Sequence, residues 1–375
     1  MLLPVDTARF WRDNAASRHK PFRTDKPQVP MTLSTTEECL WEELGLGPDP
    51  DYWRDVDTHV RLNRLYNDKA EEIVGRRLLP ETWVPPEHQL PRPLRIEEVF
   101  GSTIRQVPVG DTPSSDWVEQ SVYSIRDLEE RLERVESLDL RAVVFPEGFS
   151  EALARLHSVY GLDPQLGGGI RGPVTAAMSV CGVENVILWL LDYPVVMERF
   201  RDLLAAKIIE LCSLLREATG ATAPGFGFSD DNCAMLNPDL YERFGLPILE
   251  QVFAAFAPRE EDWRFQHSDS EMTHLLALLN RTRLHGCNFG PTVRPERIRA
   301  AMPRTVIQGQ LPPWTFARGT PQEIADAVRR DIEAVGADGG LEVTTAGSVN
   351  AGSRLEGLRA VMYAIQTYGR YQPLD

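Results

Sequence analysis

A chain of 375 residues, 42% apolar and 25% charged, has the composition of an ordinary globular protein with enough apolar mass for a sizeable core, and disorder is not indicated. Its net charge of -15 excludes general binding to nucleic acid or to an anionic membrane, because such partners attract Lys/Arg surfaces and repel this one. Length alone allows two or three average domains or one large α/β barrel.

The N-terminal stretch "MLLPVDTARFWRDN" meets charge too early for a signal peptide. No run approaches the roughly 18 apolar residues of a membrane span. Five scattered cysteines, Cys39, Cys181, Cys212, Cys233 and Cys287, form no C-x-x-C pair and fit reduced thiols better than a disulfide framework. A cytosolic protein is therefore expected. Further along, "PQVPMTLST" (27–35) has the composition of a strand. "IEEVFGSTIRQVPVGDTPSSDWVEQSVYSI" reads as a two-stranded excursion with a Gly110-Asp111 turn region.

From about residue 139 short apolar, glycine-rich runs alternate with longer stretches of helical spacing, the pattern of βα units and a parallel sheet. The strand candidates are "RAVVFPEG" (141–148), "LGGGIRG" (166–172), "APGFGFSDD" (223–231), "DWRFQHSD" (262–269), "RLHGCNFGP" (283–291), "TVIQGQLPP" (305–313) and "LEVTTAGS" (341–348). Helices are expected over Pro194 to Thr219, in "PDLYERFGLPILEQVFAAF", and in "TPQEIADAVRRDIEAV". Thr320, Pro321 and Glu323 give the last of these a capping box with a proline start. A final helix, "SRLEGLRAVMYAIQTYG", is expected to take Ser353 as its cap and to stop at Gly369. The simplest reading is one domain over residues 1–375, a (β/α)8 TIM barrel. Residues 1–139 would be an N-terminal helical and hairpin elaboration that includes a first strand, and residues 140–375 the main barrel. A doubly wound open sheet is the alternative, but no G-x-G-x-x-G follows a first strand.

Catalytic groups of such barrels sit at the C-terminal ends of the strands, and polar clusters fall there. Ser229, Asp230, Asp231 and Asn232 end one run; His267, Ser268 and Asp269 the next; His285, Cys287 and Asn288 the one after. Gln308 and Gln310, then Glu342, Thr344 and Thr345, follow. "HSDSEMTH" (267–274) therefore reads as a strand end at an active-site mouth, with "EMTHLLALLN" as the following helix. His267 and Asp269, at i and i+2, project to one side of a strand. Each residue also has an ordinary alternative. Asp231 or Asn232 would cap the next turn, His267 would be a satisfied core histidine, His274 a structural helix residue, and Cys287 a small buried hydrophobe. Gln308 and Gln310 either fill a polar barrel layer or bind substrate. Arg105, Arg171 and Arg318 are the anion-binding candidates, against the commoner case of surface arginines.

The second half resembles the uroporphyrinogen decarboxylase superfamily. The resemblance lies in "RGPVTAAMSVCG", "SDDNCAMLNPDLYERFGLPILEQV", "FQHSDSEMTHLL", "VIQGQLPPWTFARGTPQEIADAVRRDI" and "AGSVNAGSRLEGLRAVMYAIQTYGRY", in order over roughly residues 165 to 371. It implies a (β/α)8 barrel and either decarboxylase chemistry or zinc-dependent methyl transfer with corrinoid proteins or coenzyme M. The haem-pathway decarboxylase binds substrate carboxylates through an arginine-bearing early segment, whereas "VPMTLSTTEECLWEEL" here has no arginine. Its late Gly-His-Gly is matched by Ala346, Gly347 and Ser348. The transferases hold zinc with a His-x-Cys pair and a distant Cys; here His267 is kept, Asp269 stands at the first cysteine position and Gly347 at the second.

The first functional expectation is a decarboxylase acting on a small polar or carboxylated molecule other than uroporphyrinogen. His267, Asp230 and Asp231 would be catalytic, and Arg105, Arg171, Asn232, Asn288, Gln308 and Gln310 would bind substrate. The alternative is a zinc-dependent methyl transferase served by a corrinoid protein, its metal held by His267, Asp269 and Cys287, with Glu342 as a further candidate ligand. A non-catalytic binding barrel is the third. The partner in each case is a small molecule, with no nucleic acid and no membrane, and a homodimer is a candidate assembly.

Overall fold

The computed structural model describes residues 2–109 and 112–371. A hairpin of β1 (Ile104–Val109) and β2 (Thr112–Val118) pairs antiparallel with Arg105 opposite Trp117, as the excursion predicts; the expected Gly110-Asp111 turn lies outside the described residues. Six strands then form one parallel sheet in chain order: β3 (Gly169–Arg171), β4 (Phe226–Ser229), β5 (Arg264–Ser268), β6 (Gly286–Phe289), β7 (Val306–Gln308) and β8 (Leu341–Glu342). Each lies inside a run expected to be a strand, and at least one helix follows each. The segment 27–35 contributes a parallel bridge from Met31 to Val343, next to β8. The fold class is α/β, with the βα succession of a TIM barrel.

One expected strand is not a strand. "RAVVFPEG" begins inside the short helix Leu140–Val143, entered from Asp139. Leu140 and Val144 are both fully buried while Val143 is exposed. Burial at i and i+4 is the helical spacing, and a four-residue apolar run is too short for periodicity to separate strand from helix.

Two compact units make up the chain: Met1–Pro86 with Ser268–Leu276 and His285–Asp375, and Glu87–His267 with Ala277–Leu284. In the second unit, Phe226 and Phe228 of β4 pack on Phe256 and Phe253 of the helix Gly245–Phe256. The side-chain period of two therefore turns Gly227 and Ser229 to the opposite face. Glycine leaves that face open. The stretch expected as one helix breaks at Phe244 into Pro238–Arg243 and Gly245–Phe256, whereas Pro194–Thr219 is continuous over 26 residues.

In the first unit, the helix Pro321–Val335 has the expected capping box between Thr320 and Glu323. The last helix, Leu355–Tyr368, takes Arg354 at its N-cap rather than Ser353. Ser353 is fully buried and donates its hydroxyl to the Asn350 carbonyl, while the Leu355 N–H goes to the Glu43 carboxylate at 3.1 Å. A remote carboxylate replaces the local cap. Among the described residues no single helix is long and apolar enough to cross a membrane.

Candidate metal centre at the strand ends

β4 and β5 run parallel with Ser229 opposite His267, and the Asp230 N–H continues the ladder to the His267 carbonyl at 2.9 Å. Asp230 and Asp231 then part company. Asp230 is completely buried. It accepts from the Thr175 N–H at 2.8 Å and hydroxyl at 2.7 Å and from the Val174 N–H at 3.3 Å. These groups open the helix Pro173–Cys181, whose N-cap residue, Gly172, has no side chain to offer. Asp230 thus satisfies from another strand the N–H groups that a local cap would otherwise take, with the helix dipole adding to the attraction. The Asp230 oxygens, expected from the sequence to be catalytic, are thus engaged at the helix start. Gly172 is required by the same contact, since a Cβ there would lie 2.0 Å from Asp230 Cβ.

Burial pushes the Asp230 carboxyl up to about 6 from 3.8, against the Thr175 and Val174 donors that favour its ionised form. A folded-state value above the unfolded one contributes stability below the unfolded pKa and loses it as pH rises through about 6. Asp230→Asn cannot titrate. The stability of the native chain relative to this variant is therefore expected to fall by about 1.4 kcal/mol between pH 5 and pH 7.5, read from urea midpoints at the two pH values.

Asp231 occupies the N-cap position of the turn Asn232–Met235 but makes no capping hydrogen bond with its side chain. Instead Asp231, His267 and Asp269 each present one ligand atom, all within 4.8 Å of one another. Asp231 and His267 are half-buried and Asp269 is exposed. Asp269 is confined by two glycines. A Cβ on Gly347, whose φ is +100°, would lie 2.2 Å from Asp269 Oδ1, and one on Gly290 would lie 2.2 Å from the Asp269 carbonyl. Gly347 stands where the family resemblance puts a second cysteine ligand, so the room for that side chain is taken by the Asp269 carboxylate. Asn288 holds this loop in place, donating to the carbonyls of Gln308 and Thr345 at 2.6 and 2.9 Å and accepting from the Gly347 N–H at 3.0 Å.

The other expected site residues fall elsewhere. Cys287 is fully buried and absent from the metal-capable group; burial pushes its thiol up to about 12. Alternation on β6 explains this, for Asn288 turns to the loop and Cys287 therefore to the opposite side. Asn232 donates its backbone N–H to the Thr175 hydroxyl. Gln308 donates to Glu342 Oε2 at 2.9 Å. Gln310 is 2% exposed and donates to the carbonyls of Gly290 and Val293, a clamp on the backbone beside Asp269. The two glutamines do not continue one strand face, since β7 ends at Gln308. His274 is exposed in a single turn, Thr273–Leu275, ahead of the helix Leu276–Arg281.

Arg171 is 2.9 Å from Glu97. Arg318 lies over the Trp314 ring at 5.7 Å. Arg105 is 68% exposed on β1 and pairs with Glu119 at 2.7 Å, an arrangement of little energetic weight. Arg105→Ala is expected to change stability by less than about 0.5 kcal/mol and to leave kcat/KM unaltered, as steady-state assays beside a thermal melt would show. Sequence reasoning had no signal for Glu97, Thr175 or Gly172, whose roles depend on contacts between distant segments.

A parallel α/β fold with carboxylates and a histidine gathered at the C-terminal ends of neighbouring strands is the frame of a barrel enzyme. The chain belongs to the uroporphyrinogen decarboxylase (URO-D) family, which matches residues 94–368. None of the curated proteins matches it. Among solved structures, a methyltransferase from Methanosarcina mazei is similar at 17% identity and TM-score 0.59, over 92% of this chain and 96% of that one. A B12-independent methionine synthase from a Shewanella species, in complex with selenomethionine, covers 90% of this chain and 96% of its own at 12% identity and TM-score 0.42. The first of these likenesses places the fold among the family's TIM barrels.

Proposed function

We propose that this chain is a metal-dependent methyl, or one-carbon, transferase, with zinc held by Asp231, His267 and Asp269 in a catalytic barrel spanning the whole chain. The observation that carries this reading is the convergence of the three ligand atoms within 4.8 Å. Their chemistry fits the ion: one imidazole nitrogen and two carboxylate oxygens are ordinary zinc donors, and a tetrahedral site needs ligand atoms about 3.3 Å apart, a closure that side-chain rotation supplies. When bound, the ion would act as a Lewis acid that lowers the pKa of an acceptor thiol or hydroxyl. Relative to thiolate ligation, the carboxylates suit a harder ion and hold zinc less softly. Asp230 fixes the end of β4 from which Asp231 projects, and Asn288 fixes the loop that confines Asp269. A small-molecule acceptor and a corrinoid protein as methyl donor complete the proposal.

Decarboxylation, the first expectation from the sequence, loses support because Asp230, one of its two candidate catalytic aspartates, is engaged at the helix start. The experiment is methyl transfer from methylcobalamin to a panel of small thiols, followed by the visible spectrum of the corrinoid. Activity should disappear after chelation and return with zinc. Chelator-insensitive transfer, or release of carbon dioxide from carboxylated substrates by the metal-free chain, would overturn the reading.

A further inference from the structure

Glu97, in the short helix Ile96–Val99, is 1% exposed. Its Oε1 lies 2.9 Å from Arg171 Nε, yet the Nε–H is not aimed along the contact, and neither carboxylate oxygen receives a hydrogen bond among the described residues. A carboxylate has about four lone-pair sites, and leaving a buried one unfilled is strongly unfavourable. The Arg171 side chain is 36% exposed, so its remaining N–H groups reach water. What this pair lacks is hydrogen-bond donors to Glu97.

Beside the pair is a cavity of about 320 Å³ whose wall includes Leu94, Ile170, Leu211 and Leu215 as well as Glu97 and Arg171, a volume within the range of small-molecule sites. It follows the side of β3 that pairs with no other strand among the described residues. The Gly227 N–H bonds the Gly168 carbonyl, and the Gly172 N–H bonds the Ser229 carbonyl. Even-numbered residues thus face β4, which turns the N–H and C=O of Gly169 and Arg171 to the other side. The register sets Arg171 opposite Ser229 and Ser229 opposite His267. Two strand spacings put the Arg171 Cα about 10 Å from that of His267, within the span of one small molecule.

We propose that this cavity anchors the substrate's nitrogenous end, taking an N–H-rich cation (amine, amidine or guanidine) on an apolar body, with Arg171 as a placeholder that the cation displaces from Glu97. The net charge of -15 favours a cation at long range. Only the word "substrate" rests on the transferase reading, because binding in the cavity needs no metal.

The probe is benzamidine, with benzoate as a control of matching shape and opposite charge, titrated calorimetrically into the full chain. Benzamidine should bind and benzoate should not. Glu97→Gln should weaken benzamidine at least 10-fold, whereas Arg171→Met, which removes the competitor, should tighten it several-fold. Leu215→Trp, a substitution in the half-buried wall that spares the charged pair, should also weaken it 10-fold, so the test survives if Glu97→Gln fails to fold. His267→Ala should leave benzamidine affinity unchanged, which separates this subsite from the metal proposal. No benzamidine binding at millimolar concentration would overturn the assignment. So would benzoate binding that is lost in Arg171→Met, or benzamidine affinity indifferent to Leu215→Trp.

Discussion

Replacing His267 by alanine is expected to lower metal affinity by at least about 100-fold and to reduce methyl transfer to background. His267 is the only nitrogen donor in the cluster with Asp231 and Asp269. Changing even an outer-shell partner of a metal ligand typically costs 10- to 100-fold, so loss of a ligand sets that as a floor. The fold should survive, because a half-buried imidazole at a strand end is not part of the apolar core. Circular dichroism and the melting temperature of the variant should stay near the native values while activity vanishes. Full activity in His267→Ala would remove the site altogether.

Gly172→Ala is the second change with a large expected effect, here on stability. Its added Cβ would lie 2.0 Å from Asp230 Cβ and 2.7 Å from Asp230 Cα, and Asp230 cannot retreat without giving up the Thr175 and Val174 hydrogen bonds. Overpacking combined with broken buried hydrogen bonds predicts a loss of about 2–4 kcal/mol. Denaturant titration measures it. The same change made in an Asp230→Gly background should cost much less, because the Cβ and carboxyl group it collides with are gone and the hydrogen bonds are already absent. Such non-additivity is the signature of direct contact; equal losses in both backgrounds would place the strain elsewhere.

The fold was largely legible in the residues because each parallel strand announces itself as a short apolar or glycine-rich run ending in polar groups, as "GFGFSDD" and "RFQHSD" do. "RAVVFPEG" misled because four apolar residues carry no period, and burial of Leu140 and Val144 is decided by what lies above them. His267 and Asp269 were legible as a pair from their i, i+2 spacing. Asp231 and Asp230 were not separable, since their different surroundings follow from a helix start 55 residues upstream that engages Asp230. Cys287 was a candidate ligand because it lies near the end of the strand after that of His267, and alternation along β6 turns it away from the loop that Asn288 holds. Glu97 lies in the irregular first third of the chain, where no pattern marks a buried carboxylate.

The central claim is that Asp231, His267 and Asp269 hold a metal ion, and its most direct test is elemental analysis of the chain purified without chelators, set beside Asp231→Asn and His267→Ala prepared identically. The account predicts about one zinc per native chain and little in either variant. Native protein free of zinc and still active in methyl transfer, or variants that retain the full zinc content, would contradict it.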